Sequence, residues 1–183
     1  MTKTLIPLDP EIDEIKNEAR IFRDRKVILY NLPERSGLIR ARSFGAQKAR
    51  GDVLVFLDSH VEVNRNWLVP LLDRIHRDRT VVAIPIIDLI NAYTFEYRSS
   101  PLVKGSFTWT LHYSWISVSE KPLKDEADFI KPIRTATMAG GLFAIDRNYY
   151  FEMGDYDKRM ETWGSENIEM SFRIWTCGGK LEV

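Results

Sequence analysis

One cysteine, three histidines and no surplus of either charge set the first limits on this chain of 183 residues. A lone thiol, Cys177, cannot close an internal disulfide or build a zinc cluster, and composition alone predicts a buried, inert thiol. Lysine plus arginine equals aspartate plus glutamate, 26 each, which excludes a nucleic-acid role resting on bulk charge. No run approaches the ~20 consecutive apolar residues that span a bilayer, so no membrane segment is expected in this chain. The opening residues, MTKTLIPLDPEIDE, lack the positive start and apolar centre of a secretory signal. Internal repeats and low-complexity segments are absent as well. What is present, 44% hydrophobic and 28% charged residues, describes one globular domain or a large piece of one.

Helix and strand signals alternate through the first half. Ile12, Ile15, Ala19 and Phe22 recur at helical spacing after Asp9-Pro10. The run KVILY, 26–30, reads as a buried strand, and NLPERSG, 31–37, as a loop. A helix is expected over 38–49, a strand over 53–58 and an amphipathic helix over 66–78 with Pro70 near its first turn. A further strand is expected over 80–87. This order predicts an α/β domain with a parallel sheet. The second half differs. Residues 93–117 are aromatic and β-prone, and 118–134 read as an exposed loop. A strand broken by a glycine pair is expected over 137–147, then a loop entering a helix over 163–177. Ile168, Ser171, Phe172 and Trp175 would form one face of that helix. Gly178 would stop it, and KLEV would start another strand.

The stretch FLDSH, 56–60, carries the first chemistry. In open parallel sheets, ligands bind beyond the carboxyl ends of the strands, where Asp58 would lie. Side chains two apart in extended chain point the same way, so Asp58 and His60 would converge. A carboxylate oxygen with an imidazole nitrogen suits Mn²⁺ or Zn²⁺ better than Ca²⁺. The spacing equally fits a strand-end aspartate that caps a turn beside a surface histidine. His76, on a polar helix face, and His112, in an aromatic strand, read as structural.

Further segments sharpen the picture. RSGLIRAR, LDSHVE, NWLVPLL, IPIID, KGSFTW, MAGGLFAIDR, GDYD and WGSENIEMSFRIWTCGGKLE follow one another in this order. Together they closely resemble the catalytic domain of the polypeptide N-acetylgalactosaminyltransferases, from about Lys26 to the end. The resemblance implies a GT-A nucleotide-diphospho-sugar transferase fold. It implies transfer of N-acetylgalactosamine from UDP-GalNAc to Ser or Thr of polypeptides, with retention at the sugar carbon and with Mn²⁺. That reaction starts mucin-type O-glycosylation, which the full-length family members carry out in the Golgi lumen.

The same resemblance assigns roles to matching positions. It makes Asp58 and His60 metal ligands, with Asp58 also near the donor. Arg35 would contact the donor, and Gly140 and Gly141 would let backbone approach the sugar. Trp163 would belong to a mobile loop over the diphosphate. Glu166 and Asn167 would bond the sugar hydroxyls and shape the active site. Phe107 and Trp109 would lie near the acceptor-peptide groove. No carboxylate stands out as a nucleophile, and the family implication is a same-face reaction in which the leaving phosphate helps deprotonate the acceptor.

Departures from the family pattern qualify this. Residues 1–25 are unmatched, which leaves 26–183 as a partial catalytic domain. The family's first strands, its third metal ligand (a histidine beyond CGGKLE) and its C-terminal lectin domain have no counterpart here. In the family, the cysteine matching Cys177 pairs with one further along the chain. These boundaries predict weak metal binding and favour a fragment of an active-type enzyme. The alternative from another class is a non-catalytic remnant that binds a peptide or partner through residues 93–117.

Overall fold

A computed structural model describes residues 28–118, 130–161 and 163–183. The chain divides into two units, Met1–Arg35 and Ser36–Val183. The helix expected over 9–22 lies outside the described residues. Of the strand predicted over 26–30, residues 26–27 lie outside the described residues, and Ile28, Leu29 and Tyr30 are exposed and irregular. An apolar run becomes a strand only where a neighbouring strand takes up its backbone groups, and none of the described strands pairs with it.

The second unit is built on a four-stranded sheet with helices packed against it. Its elements in chain order are α1 (Gly37–Lys48), β1 (Val53–Phe56), α2 (Leu68–Arg77) and β2 (Val81–Ala83), then the short strands β3 (Leu89–Ile90), β4 (Tyr97–Arg98), β5 (Val103–Phe107) and β6 (Tyr113–Ser117). β7 (Phe143–Asp146), α3 (Arg147–Glu152), α4 (Glu166–Thr176) and β8 (Lys180–Glu182) complete it. Strand order in the main sheet is β1-β7-β2-β8.

β1, β2 and β8 run one way, but only β2 and β8 pair as parallel neighbours. β7 lies between β1 and β2 and is antiparallel to both, which corrects the all-parallel expectation. A parallel return needs a crossover, usually a helix. Between β2 and β7 the described chain instead makes two antiparallel ribbons, β3–β4 and β5–β6, and re-enters the sheet from the other end. The aromatic, β-prone character of 93–117 was thus legible.

Strand lengths are shorter than expected. β2 ends at Ala83, not at 87: Ile84 still donates its N–H to the Glu182 carbonyl at 2.8 Å, but Pro85 has no N–H to extend the ladder. The segment after the undescribed residues 119–129 is not loop throughout. Ile133 exchanges two backbone bonds of 2.9 Å with Val183, and Thr135 N–H reaches the Leu181 carbonyl at 3.1 Å. The glycine pair precedes β7 and does not interrupt it.

The core lies where α1, α3 and α4 meet one sheet face. Phe56 and Phe143 stack there with centroids 4.6 Å apart, beside buried Ile39, Tyr150, Ile174 and Leu181. α2 covers the other face through Leu71 and Ile75 against Val81 and Ala144. On α4 the buried positions are Glu166, Asn167, Ile168, Met170, Ser171 and Ile174. Phe172 and Trp175 are only half-buried, so the packed face is rotated from the expected one. The cause is a double contact: Ile174 meets the core, while Asn167 and Ser171 bond the backbone before β7. Gly178, at φ +83°, ends the helix as expected, with its N–H on the Trp175 carbonyl at 3.1 Å.

Candidate active site

β1 ends at Phe56, and the chain leaves the sheet through Leu57 and Asp58. A cleft of about 540 Å³ opens at this end, within the range of small-molecule sites. Asp58, His60 and Glu62 line one side, and Ala139, Gly141 and Leu142 lie before β7. Pro85 to Ile90 and Tyr97 bring in the β3–β4 ribbon. Asp88 there accepts from the Tyr97 hydroxyl and from Ser100 N–H at 2.7 Å, which ties the ribbon's base together. Asp58 and His60 therefore share one cleft, reached through a bend at residues 59–60 and not through extended chain.

The glycine pair is required by packing on both sides. Gly140 has φ +88°, and a Cβ there would lie 2.6 Å from the Asn167 Cβ. A Cβ on Gly141 would collide with the Asp58 carboxylate. The loop can therefore touch β1 on one flank and α4 on the other only because both side chains are absent.

Arg42 of α1 holds this junction and was not singled out from sequence. One terminal nitrogen donates to the Gly140 carbonyl and lies 3.4 Å from the Tyr156 hydroxyl. The other donates to Asp58 Oδ1 at 2.7 Å and to the Gly141 carbonyl at 3.0 Å. Its side chain is only 12% exposed, against 30% for Asp58. The run RSGLIRAR contains Arg42, but its partners sit 16 to 114 positions away, so local sequence carries no sign of them.

Behind Arg42 lies a second polar group. Asp155, buried at a φ of +63°, accepts from the Ser43 and Tyr150 hydroxyls and from Tyr156 N–H at 2.7 Å. Burial works against its charge, but these donors win and hold its carboxyl below the usual range. Burial, with the Asp155 carboxylate beside it, pushes the Tyr150 hydroxyl well above its ordinary value.

The other expected residues divide. Asn167 is buried and donates to the Met138 carbonyl at 2.8 Å, so it supports the approach to the glycine pair. Glu166 is buried and accepts from Gly164 N–H at 2.8 Å, which fixes the turn after Trp163. Trp163 itself is 80% exposed and outside the cleft lining. Phe107 packs edge-on against Phe172 at 4.9 Å, and Trp109 is fully exposed; neither lines the cleft. Arg35 is exposed and belongs to the first unit. Cys177 is free and exposed, not the buried thiol that composition suggested. Among the described residues no group of three or more His, Cys, Asp or Glu side chains is placed to hold a metal.

The pattern of glycosyl transferase family 2 matches residues 9–150, and that of the N-terminal domain of galactosyltransferase matches 122–183. A crystal structure of GalNAc-T7 with UDP, GalNAc and Mn²⁺ superposes with a TM-score of 0.86 at 39% identity. The match covers 96% of this chain and 33% of that one. Fold and site thus define a glycosyltransferase domain of the GT-A type.

Curated relatives narrow the class. Polypeptide N-acetylgalactosaminyltransferase 13 of Homo sapiens is 52% identical over 86% of this chain and 29% of its own length. Polypeptide N-acetylgalactosaminyltransferase 11 of Xenopus tropicalis is 48% identical over 98% and 30%. The chain belongs to the polypeptide N-acetylgalactosaminyltransferase family. It spans about a third of the length of the curated relatives it matches. One of these, at 48% identity, is the inactive polypeptide N-acetylgalactosaminyltransferase-like protein 5 of Macaca fascicularis.

Proposed function

We propose that this chain carries part of the donor site of an enzyme that transfers N-acetylgalactosamine from UDP to Ser or Thr of polypeptides. The observation that supports this most is the close approach of Asp58 to Gly141 at the mouth of the cleft that His60 also lines. The donor set fits a divalent cation: a carboxylate and an imidazole suit Mn²⁺, and phosphate oxygens and water can complete so small a protein contribution. Asp58 and His60 would hold that ion, which when bound neutralises the diphosphate and eases its departure. Gly140 and Gly141 present backbone, without Cβ, to the sugar. Glu166 and Asn167 hold the two loops that flank it, and their remaining polar atoms bond sugar hydroxyls. Trp163 covers the diphosphate. Phe107 and Trp109 lie toward the acceptor peptide. The contribution of the chain is positioning and electrostatic stabilisation, with no protein nucleophile. Residues 26–183 carry the transferase motifs, and the site of action is the Golgi lumen.

The test is calorimetric titration of the folded chain with UDP, with and without Mn²⁺. Metal-dependent binding that Asp58→Ala removes is the expected result. A second reading draws on the inactive relative at 48% identity: a non-catalytic module that binds peptide through 93–117. Peptide binding that needs neither UDP nor Mn²⁺ would favour it.

A further inference from the structure

The buried guanidinium of Arg42 performs a task that the sequence did not suggest. Its two terminal nitrogens make four contacts: the Asp58 carboxylate, the Gly140 and Gly141 carbonyls, and the Tyr156 hydroxyl. These belong to the end of β1, the loop before β7 and the segment after α3. Arg42 is not among the residues that line the cleft. It sits behind the wall and joins the two pieces of chain that meet across it. Phe56 backs it, with the guanidinium carbon 6.0 Å from the ring centroid.

We infer that Arg42 is the positioning residue of the donor site, setting the carboxylate of Asp58 and the glycine backbone at one fixed separation. The inference rests on the donor-site reading above. Three features of the contact set support it. Asp58 has one oxygen engaged by Arg42, and the other rests against Gly141, so the carboxylate plane has little freedom to turn. Both glycine carbonyls are taken by the same group, which fixes the loop's peptide planes although glycine itself permits many. A planar fork with several donors satisfies all partners at once, whereas a lysine ammonium is one point and cannot span them. Outer partners that orient ligand carboxylates are worth roughly 10–100-fold in metal affinity.

The experiment is Arg42→Lys, with three readouts on the folded chain: UDP affinity with and without Mn²⁺ by calorimetry, amide hydrogen exchange, and the thermal midpoint. Expected is a loss of about tenfold or more in Mn²⁺-dependent UDP affinity. Exchange at Gly140, Gly141 and Leu142 should rise about tenfold, while Val81–Ala83 stay protected and the midpoint changes little. A merely structural role would instead raise exchange across the whole sheet in step with the midpoint. Unchanged affinity, or unchanged exchange at the glycine pair, overturns the inference. If Arg42→Lys does not fold, Arg42→Gln is read in the same way. If the unsubstituted chain binds no UDP with Mn²⁺, the donor-site reading falls, and the exchange at Gly140–Leu142 alone then decides whether Arg42 positions this loop.

Discussion

Two loops of this domain are built in opposite ways. The glycine-pair loop, 139–142, is held from three directions: Arg42 of α1 on its carbonyls, Asn167 of α4 on the turn before it, and Asp58 after β1 pressed against Gly141. The Trp163–Gly164 turn is tied by the bond from Gly164 N–H to Glu166, and its tryptophan lies in solvent. Both contain a glycine at positive φ, Gly140 at +88° and Gly164 at +109°. At Gly140 a Cβ meets a wall, and at Gly164 it meets nothing within 4 Å. The difference separates a pre-set surface from a segment that can be re-set at little cost, which is how rigid scaffold and adjustable cover divide their work in many binding sites.

Substitution at the two glycines breaks this comparison most directly. Gly140→Ala combines left-handed strain with overpacking against Asn167, and should cost about 3 kcal/mol in urea unfolding. Gly164→Ala carries the strain alone and should cost about 1 kcal/mol. Equal losses would mean that the glycine-pair loop yields as easily as the turn. Arg42→Met leaves the Asp58 carboxylate and two carbonyls without their donor. Because Asp58 keeps some solvent, the loss should be about 2 kcal/mol, below the 3–5 kcal/mol of fully buried pairs. Glu166→Ala should cost about 1 kcal/mol and raise hydrogen exchange at Gly164 without touching Gly141.

The smallest effect concerns acid. The Asp155 carboxyl is held below its ordinary value by Ser43, Tyr150 and Tyr156 N–H against the penalty of burial, and Lys180 and Thr80 likewise hold Asp78 well below its own. A depressed folded value means that stability is full above the unfolded value of about 4 and is lost as pH falls through the folded one. The thermal midpoint should therefore be flat from neutral pH to about pH 5 and decline below about pH 4. Asp155→Asn should make that decline shallower; an unchanged slope would show that Asp155 is not among its causes.

Local order was legible where the cause is local. The apolar run at 53–56, the amphipathic 68–77 and the Gly178 stop each depend on near neighbours, and each is found within a few residues of expectation. Asp58 and His60 do share one cleft, but through a bend at residues 59–60 after β1 ends, not through the two-residue period of extended chain. What escaped depends on distant partners. The direction of β7 is set by how the chain returns from the ribbons, not by the residues 143–146 themselves. Arg42 is one of two arginines in its helix until Gly140, Gly141 and Tyr156 arrive from about a hundred positions away. Asn167 and Glu166 were singled out, yet their bonds to Met138 and Gly164 could be placed only once the loops were in view.

The position of β7 also has a meaning in time. β1 and β2 lie on either side of it, but β7 follows β1 by some ninety residues, and β8 follows later still. As the chain leaves the ribosome, β1 and β2 emerge with the slot between them empty, and neither can complete its ladder until residue 146 is out. The central pairings therefore depend on contacts of long sequence separation, which slow folding. Until then the inner edges of both strands stay open to other chains. The cleft wall, assembled from the end of β1 and the loop that leads into β7, is complete only once β7 has joined the sheet.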